Sequence, residues 1–227
     1  MRGASAVKVE PTQFRGLYFD GRDVLTKNLA PGESVYGERL VARGGTEYRH
    51  WDPTRSKLAA YYRCGGSAFP FEEKSHVLYL GAASGTTASH VSDLCPSGTV
   101  YCVEFSPKPF RKLMELCGRR KNMFPILADA TKPESYAQMV GKVDIVYQDI
   151  AQRDQARILL RNTNAFLRDR GTAFLIVKAR SVDVGSAPSE VYKGELETLR
   201  NGGLKLMEMV ALDRFEKDHA AIVVRKP

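Results

Sequence analysis

Five apolar stretches of the chain, each followed at once by a glycine or a charged residue, alternate with helical stretches. Strands that alternate with helices form a largely parallel sheet with helices on both faces. An α/β sheet of this kind binds ligands in the crevice outside the carboxyl ends of its strands. We therefore expect one site where the predicted strands 77–80, 99–103, 125–128, 143–148 and 173–177 end, at Gly81, Glu104, Asp129, Asp149 and Lys178.

The helices between these strands are predicted from composition and from capping residues. Asp52 followed by Pro53 is typical of a helix start, and Ser106 followed by Pro107 has the same form. The last two apolar runs are separated by only a short loop, so they must pair antiparallel and close the sheet as a hairpin. Residues 180–188 read as a polar loop at the rim of the site. The predicted helices cover 54–63, 86–94, 107–120, 133–140, 153–168 and 189–200, and the last two strands 204–212 and 219–224.

The N-terminal part of the chain has a different pattern, and we predict a small β-rich domain over residues 1–52 ahead of the main domain, 53–227. Stretches 14–19 and 22–26 flank Asp20-Gly21, which predicts a hairpin with a two-residue turn. A further strand is predicted over 35–41. A unit of this size needs to pack on the rest of the chain to be stable.

Composition limits the broad class of protein. Lys and Arg number 34 against 26 Asp and Glu, for a net charge of +8, which suggests a polyanionic partner such as RNA. No apolar stretch approaches the roughly 20 residues of a membrane span, and residues 1–5 lack the apolar core of a secretory signal. We therefore expect a cytoplasmic protein with no membrane partner.

The four cysteines show no pairing typical of a zinc site, so no metal is expected. Reduced thiols are the expected state of Cys64, Cys95, Cys102 and Cys117. A Cys95–Cys102 disulfide remains an alternative only if the protein comes from a hyperthermophile, since intracellular disulfides occur in such organisms.

The glycine-rich loop after the first strand indicates the cofactor. A dinucleotide site needs glycine at positions 81, 83 and 86, but Ala83 and Thr86 occupy two of them, which disfavours NAD. Glu104 is placed to hold the hydroxyls of a ribose, and Asp129 to accept from an adenine amine. An adenosine without phosphates fits this set, and S-adenosylmethionine is such a ligand, with Asp149 facing its sulfonium end.

Four further groups are expected to converge on the reaction: Lys57, Asp149, Lys178 and His219. Burial and a second ammonium nearby lower the pKa of a lysine in general, so Lys178 is the candidate to accept a hydroxyl proton, with Lys57 beside it. Lys57 holding a target phosphate remains an alternative, as does a half-buried structural role for His219.

Several motifs together resemble the fibrillarin family: EYRHWDPTRSKLAA (47–60), YLGAASGTTASHVSD (79–93), VYCVEFSPKPFR (100–111), DATKPESY (129–136), VDIVYQDIAQRDQA (143–156) and EKDHAAIVV (216–224). The resemblance implies a Rossmann-type methyltransferase that uses S-adenosylmethionine to methylate ribose 2′-oxygens of ribosomal and transfer RNA. It implies a Lys-Asp-Lys-His catalytic set at Lys57, Asp149, Lys178 and His219. The cofactor contacts that it implies are Gly81, Ala82, Thr86, Thr87, Glu104, Phe105, Asp129, Ala130, Asp149, Ile150, Ala151 and Gln152.

The resemblance also implies partners: a box C/D guide RNA that pairs with the target RNA, a Nop-family scaffold and a kink-turn-binding protein of ribosomal type. The sequence contains no RNA-recognition aromatic motif, only dispersed basic residues at Arg119, Arg120, Lys121, Arg168, Arg170 and Arg180. Of these, Arg170 and Arg180 are expected to share the sheet edge of the site and to meet RNA. A non-catalytic assembly subunit and a nucleotide-dependent oxidoreductase are the competing interpretations.

Overall fold

A computed structural model describes residues 8–227 and places their strands in two sheets. The predictions that concern the first seven residues, the missing secretory signal and the start of the N-terminal domain, lie outside the described residues. The larger sheet has seven strands and follows the predicted alternation of strands and helices. Its strands are β6 (His76–Leu80), β7 (Thr99–Glu104), β8 (Met123–Leu127), β9 (Val143–Gln148), β10 (Leu167–Lys178), β11 (Lys205–Ala211) and β12 (His219–Arg225).

The order of strands across this sheet is β11-β12-β10-β9-β6-β7-β8. Strand β12 pairs antiparallel with both neighbours, while β6 through β10 pair parallel, so the predicted mostly parallel sheet with an antiparallel last strand is confirmed. The chain proceeds from β6 to β7 and β8 on one side, and to β9 and β10 on the other. The order therefore reverses between β6 and β9, and a ligand crevice is expected there.

Helices cover both faces because neighbouring strand residues point to opposite sides. The buried side chains of Val77 and Tyr79 join one apolar cluster, and those of Leu78 and Leu80 join the other. The helices are α1 (Lys57–Arg63), α2 (Thr86–Leu94), α3 (Pro107–Cys117), α4 (Gln155–Phe166), α5 (Ala179–Val182) and α6 (Pro188–Asn201). The first cluster includes residues of α1, α2 and α3, and the second includes residues of α4 and α6.

The smaller sheet is antiparallel, with the strand order β1-β2-β3-β5-β4. Its hairpin is confirmed, but four residues, 20–23, connect the strands instead of two, because the Asp20 carboxylate accepts the amide hydrogens of Arg22 and Asp23. The strand predicted over 35–41 is wrong for residues 35–39, which form a bend in which the amides of Val35 and Tyr36 donate to the buried Glu38 carboxylate. The strand at 46–50 was not predicted. The strands are β1 (Glu10–Pro11), β2 (Leu17–Phe19), β3 (Val24–Lys27), β4 (Leu40–Arg43) and β5 (Thr46–His50).

Several element boundaries in the main sheet region differ from the prediction. Helix α1 begins at Lys57 with Ser56 as N-cap, because Asp52 caps the amide of Thr54 in a preceding turn instead. The helix predicted over 133–140 is one 3-10 turn, Pro133–Tyr136. Helix α4 is shorter than 153–168, because β10 already begins at Leu167. Part of the predicted 180–188 loop is the short helix α5.

A buried ionic cluster joins the smaller sheet to α2. Arg49 of β5 is fully buried and contacts the carboxylates of Glu38 and Asp93 at 2.7 and 2.9 Å. Asp93 of α2 also accepts from Arg120 at 2.6 Å and from the Thr26 hydroxyl at 2.8 Å. Buried charges are stable only when paired and hydrogen-bonded, so this cluster fixes the smaller sheet on the larger unit. We retain the division into domains 1–52 and 53–227 as a proposal.

Residues 8–227 contain no membrane-spanning helix, no metal-ligand cluster and no disulfide. No helix there is long and apolar enough to cross a membrane. No group of three or more His, Cys, Asp or Glu side chains in that range is arranged to hold a metal ion. All four cysteines are free thiols, and Cys95 and Cys102 are both buried.

Candidate active site

The site begins at Gly81, where β6 ends beside β9. Gly81 has a φ of +80°, and a Cβ atom there would lie 2.4 Å from the backbone oxygen of Asp149. Only glycine adopts this conformation without strain and allows that approach. The residue thereby brings the loop 81–85 against the end of β9, at the point where the strand order reverses.

Glu104, the last residue of β7, braces this loop. Its Oε2 accepts the amide hydrogen of Ala83 at 2.8 Å, and its Oε1 accepts that of Ser106 at 2.7 Å. Ala83 itself has a φ of +48°, which is uncommon for a residue other than glycine. A carboxylate oxygen has two lone pairs, so Glu104 keeps acceptor capacity toward the crevice after both bonds.

A cavity of about 220 Å³ opens at this point. Nine of the residues predicted to contact a cofactor line it, which leaves Ala82, Thr86 and Thr87 as the predicted contacts outside its wall. Ala83, Val103, Ala128 and Thr131 also line it and were not predicted. The nine are Gly81, Glu104, Phe105, Asp129, Ala130, Asp149, Ile150, Ala151 and Gln152.

The lining of the cavity combines an exposed aromatic ring with acidic side chains. Phe105 stands 70% exposed at the rim, where an apolar ring is free to cover a ligand. Asp129 follows the end of β8, and its Oδ1 accepts the amide hydrogen of Thr131 at 2.9 Å. Acidic groups therefore lie at three strand ends around one apolar-walled space, as the sequence predicted for Glu104, Asp129 and Asp149.

Asp149 lies between two lysines. Its Oδ1 is 2.9 Å from the Nζ of Lys178, and its Oδ2 is 3.3 Å from the Nζ of Lys57. Lys178 ends β10, while Lys57 is the first residue of α1 and approaches from the other side of the carboxylate. All three side chains are at most 20% exposed. The arrangement is a half-buried carboxylate with a cation on each oxygen, open to the cavity.

The fourth predicted residue, His219, begins β12 and is the register partner of Lys178 on the neighbouring strand. Side chains at paired positions of antiparallel strands point to the same face, so His219 lies beside Lys178. The backbone oxygen of Lys217 is 2.7 Å from its Nδ1. That contact leaves the Nε2 as the nitrogen able to face a substrate.

Two tyrosines lie beneath Asp149 and are excluded as bases. Burial, together with the Asp149 carboxylate, raises the pKa of Tyr79 well above its ordinary value. Burial and the neighbouring Tyr79 and Asp149 do the same to the pKa of Tyr147. Both hydroxyls therefore stay protonated at neutral pH, and the lysines and His219 remain as candidate proton acceptors.

One of the two predicted contacts with RNA, Arg170, is misplaced. Arg170 lies near the start of β10, at the opposite end of that strand from Lys178, so it does not share the edge of the site. Arg120 is 2% exposed and paired with Asp93 in the ionic cluster. Arg180, two residues after Lys178, does lie at the site edge, where it pairs with Asp218 at 3.0 Å.

The fold and the position of the site define an α/β protein of the Rossmann type with a ligand cavity at the reversal of strand order. The family model described as Fibrillarin matches residues 9–227, and the chain belongs to that family. A fibrillarin-like rRNA/tRNA 2′-O-methyltransferase of Methanopyrus kandleri is 50% identical over 224 residues, with 96% of this chain and 97% of that protein covered.

Two solved structures are also similar over nearly their whole length. Fibrillarin of Methanococcus jannaschii, a pre-rRNA processing protein, has a TM-score of 0.93 at 41% identity and covers 98% of this chain and 99% of its own. Fibrillarin of Aeropyrum pernix, in complex with natively bound S-adenosyl-L-methionine, has a TM-score of 0.89 at 48% identity over 96% of this chain and 98% of its own.

Proposed function

We propose that this chain is an S-adenosylmethionine-dependent 2′-O-methyltransferase of ribosomal and transfer RNA, directed to its targets by a box C/D guide RNA. The observation that carries the proposal is the Asp149 carboxylate, which lines the cavity and is held between Lys57 and Lys178. Family membership and the names of the archaeal relatives support the same activity.

The residues around the cavity fit an adenosine with an attached sulfonium. Glu104 retains lone pairs for the ribose hydroxyls, and Asp129 retains an oxygen for an adenine amine. Phe105 covers the rim, and Gly81 removes the side chain that would block the approach. S-adenosylmethionine supplies a methyl group on a positively charged sulfur, and an oxygen nucleophile that attacks this methyl group displaces the sulfur as a neutral thioether. The cofactor roles of the predicted residues other than Thr87 are part of this proposal.

The lysine pair accounts for activation of the nucleophile. As the ribose 2′-oxygen bonds to the methyl carbon and the carbon–sulfur bond breaks, the hydroxyl proton passes to the Nζ of Lys178. Asp149 orients that nitrogen through its Oδ1 and keeps Lys57 as a cationic partner on its Oδ2. When Lys178 is neutral, the Asp149 carboxylate therefore still has Lys57 as its cationic partner. A buried carboxylate without such a partner would be strongly unfavourable. His219 lies beside Lys178, where its Nε2 orients the incoming ribose.

The partners are proposed from the family. A solved fibrillarin/Nop5p complex resembles this chain with a TM-score of 0.87 at 42% identity, over 94% of this chain and 98% of its own. We propose that a Nop-family scaffold and a kink-turn-binding protein carry this chain to a guide–target duplex in the cytoplasm. The net charge of +8 favours contact with that RNA.

Guide-dependent methylation tests this function. The chain is assembled with scaffold, kink-turn protein and a guide matched to a synthetic rRNA segment, and transfer of labelled methyl is mapped to one nucleotide. We expect transfer at the guided position only, and none to a matched target with a single 2′-deoxy substitution there. Calorimetry should show binding of S-adenosylmethionine and none of NAD. An assembled particle that binds the cofactor but methylates no RNA would point to a non-catalytic assembly subunit instead.

A further inference from the structure

We infer that Thr87 is a positioning residue for the catalytic lysine Lys57. Its hydroxyl donates to the Oγ of Ser56 at 2.9 Å and so holds the start of α1 against the start of α2. The inference rests on the proposed function, because it gives Thr87 a role in the rate of methyl transfer. It differs from the contact with cofactor that the family resemblance implies for this residue.

The start of α1 depends on few interactions. The helix has seven residues, and a helix this short is not stable by itself in water. Its N-cap is Ser56, whose Oγ accepts the amide hydrogen of Ala59 at a long 3.4 Å. The hydrogen bond from Thr87 is shorter and joins this cap to a different element. It is therefore the direct polar link between the glycine-rich loop region and the helix that begins with Lys57.

Both residues of this hydrogen bond are buried. Ser56 is 2% exposed and Thr87 is 8% exposed, so water does not replace the hydrogen bond when it is lost. Without Thr87 the Ser56 hydroxyl keeps only its 3.4 Å bond from the Ala59 amide. The loss of a buried hydrogen bond is unfavourable, and Ser56 would then shift to recover a second partner. Thr87 does not line the 220 Å³ cavity, whereas Ala83 of the same loop does. The hydroxyl of Thr87 thus faces α1 and the Tyr79 hydroxyl, and not the ligand space.

A shift of Ser56 moves the residue next to it. Lys57 follows Ser56 directly, and its Nζ reaches Asp149 Oδ2 at 3.3 Å, a longer contact than the 2.9 Å between Lys178 and Oδ1. Small displacements of a catalytic group, on the order of 1 Å, can lower a rate by about 100-fold. The consequence is a change in the methyl-transfer step with little change in cofactor binding.

The test uses three single variants in the assembled guide particle. Thr87→Val removes the hydroxyl and keeps the shape, Thr87→Ser keeps the hydroxyl, and Thr163→Val removes a buried threonine hydroxyl far from the site, in α4. Single-turnover transfer at saturating S-adenosylmethionine gives the rate, and calorimetry gives the cofactor Kd. For Thr87→Val we expect the rate to fall by about 10- to 100-fold with the Kd unchanged within about 2-fold. Thr87→Ser should restore the rate, and Thr163→Val should leave it at the wild-type value.

Two results would overturn the inference. One is a weaker cofactor affinity for Thr87→Val at an unchanged saturating rate, which would make Thr87 a cofactor contact. The other is an unchanged rate and an unchanged Kd. Should Thr87→Val fold poorly, Ser56→Ala removes the same link from the other side and, because it also removes the cap bond to Ala59, must show at least the same loss of rate. The double variant should lose no more than Ser56→Ala alone, since the bond between the two hydroxyls is then already gone. Absence of guided methylation by the wild-type particle would instead refute the proposed function.

Discussion

Replacing Asp93 with asparagine should destabilise the whole molecule, because Asp93 is the carboxylate that holds two buried arginines. Its Oδ2 contacts Arg49 at 2.9 Å and its Oδ1 contacts Arg120 at 2.6 Å, and all three side chains are at most 1% exposed. Glu38 is the other acid in contact with Arg49. Asp93→Asn therefore leaves two guanidinium groups with one carboxylate, away from water.

The magnitude follows from the burial. Removing one partner of a buried ion pair costs about 3 to 5 kcal/mol. At about 2.1 cal/mol/K per residue, a chain of 227 residues has an unfolding entropy of about 0.48 kcal/mol/K. Dividing the first figure by the second gives a fall in Tm of about 6 to 10 °C.

Thermal unfolding followed by circular dichroism measures this loss, with Asp169→Asn as the control. Asp169 is 85% exposed and its contact with Lys226 is 3.6 Å, so its replacement should change Tm by about 1 °C or less. A fall of under about 2 °C in Asp93→Asn would show that the cluster tolerates an unpaired guanidinium. The reasoning on buried charge would then be refuted.

Three further predictions concern the site and the cluster. Lys178→Ala should abolish methyl transfer and leave the Kd for S-adenosylmethionine nearly unchanged, since Lys178 contacts Asp149 and does not line the cavity; loss of cofactor binding would contradict this role. Glu104→Ala should raise that Kd by about 10- to 100-fold by calorimetry, and an unchanged Kd would mean that the ribose contact is misplaced. Burial and the Arg49 and Arg120 charges lower the pKa of His90 well below its ordinary value of 6.5. The unfolded chain then binds the proton more readily, so the free energy of unfolding should fall as the pH drops below about 6.5. In urea unfolding at several pH values, His90→Gln should show a smaller fall than the wild type. An equal fall in both proteins would refute this assignment.

The sequence was informative where one local cause decides the structure. Residues 143–148 were predicted to the residue, because Val143 and the apolar run 145–147 mark a buried strand. Where two local signals compete, the prediction was wrong: Asp52-Pro53 has the form of a helix start, yet the helix begins at Lys57 with Ser56 as its cap. Ser56 carries its own signal, since serine is a favoured N-cap. Nothing in the sequence marks Glu38 as buried, and the strand predicted across it was lost for that reason.

The sequence by itself determined the α/β sheet and the residues at the strand ends, because the alternation of strands with helices and the ends of the strands are local patterns of consecutive residues. Tertiary structure alone decided which of those residues meet. Lys57 and Lys178 lie 121 positions apart in the sequence, and only the reversal of strand order and the packing of α1 place them on one carboxylate. It also removed Arg120 and Arg170 from the candidate RNA contacts. Charge is a property of a residue, but burial and the sheet edge on which it lies depend on the folded chain.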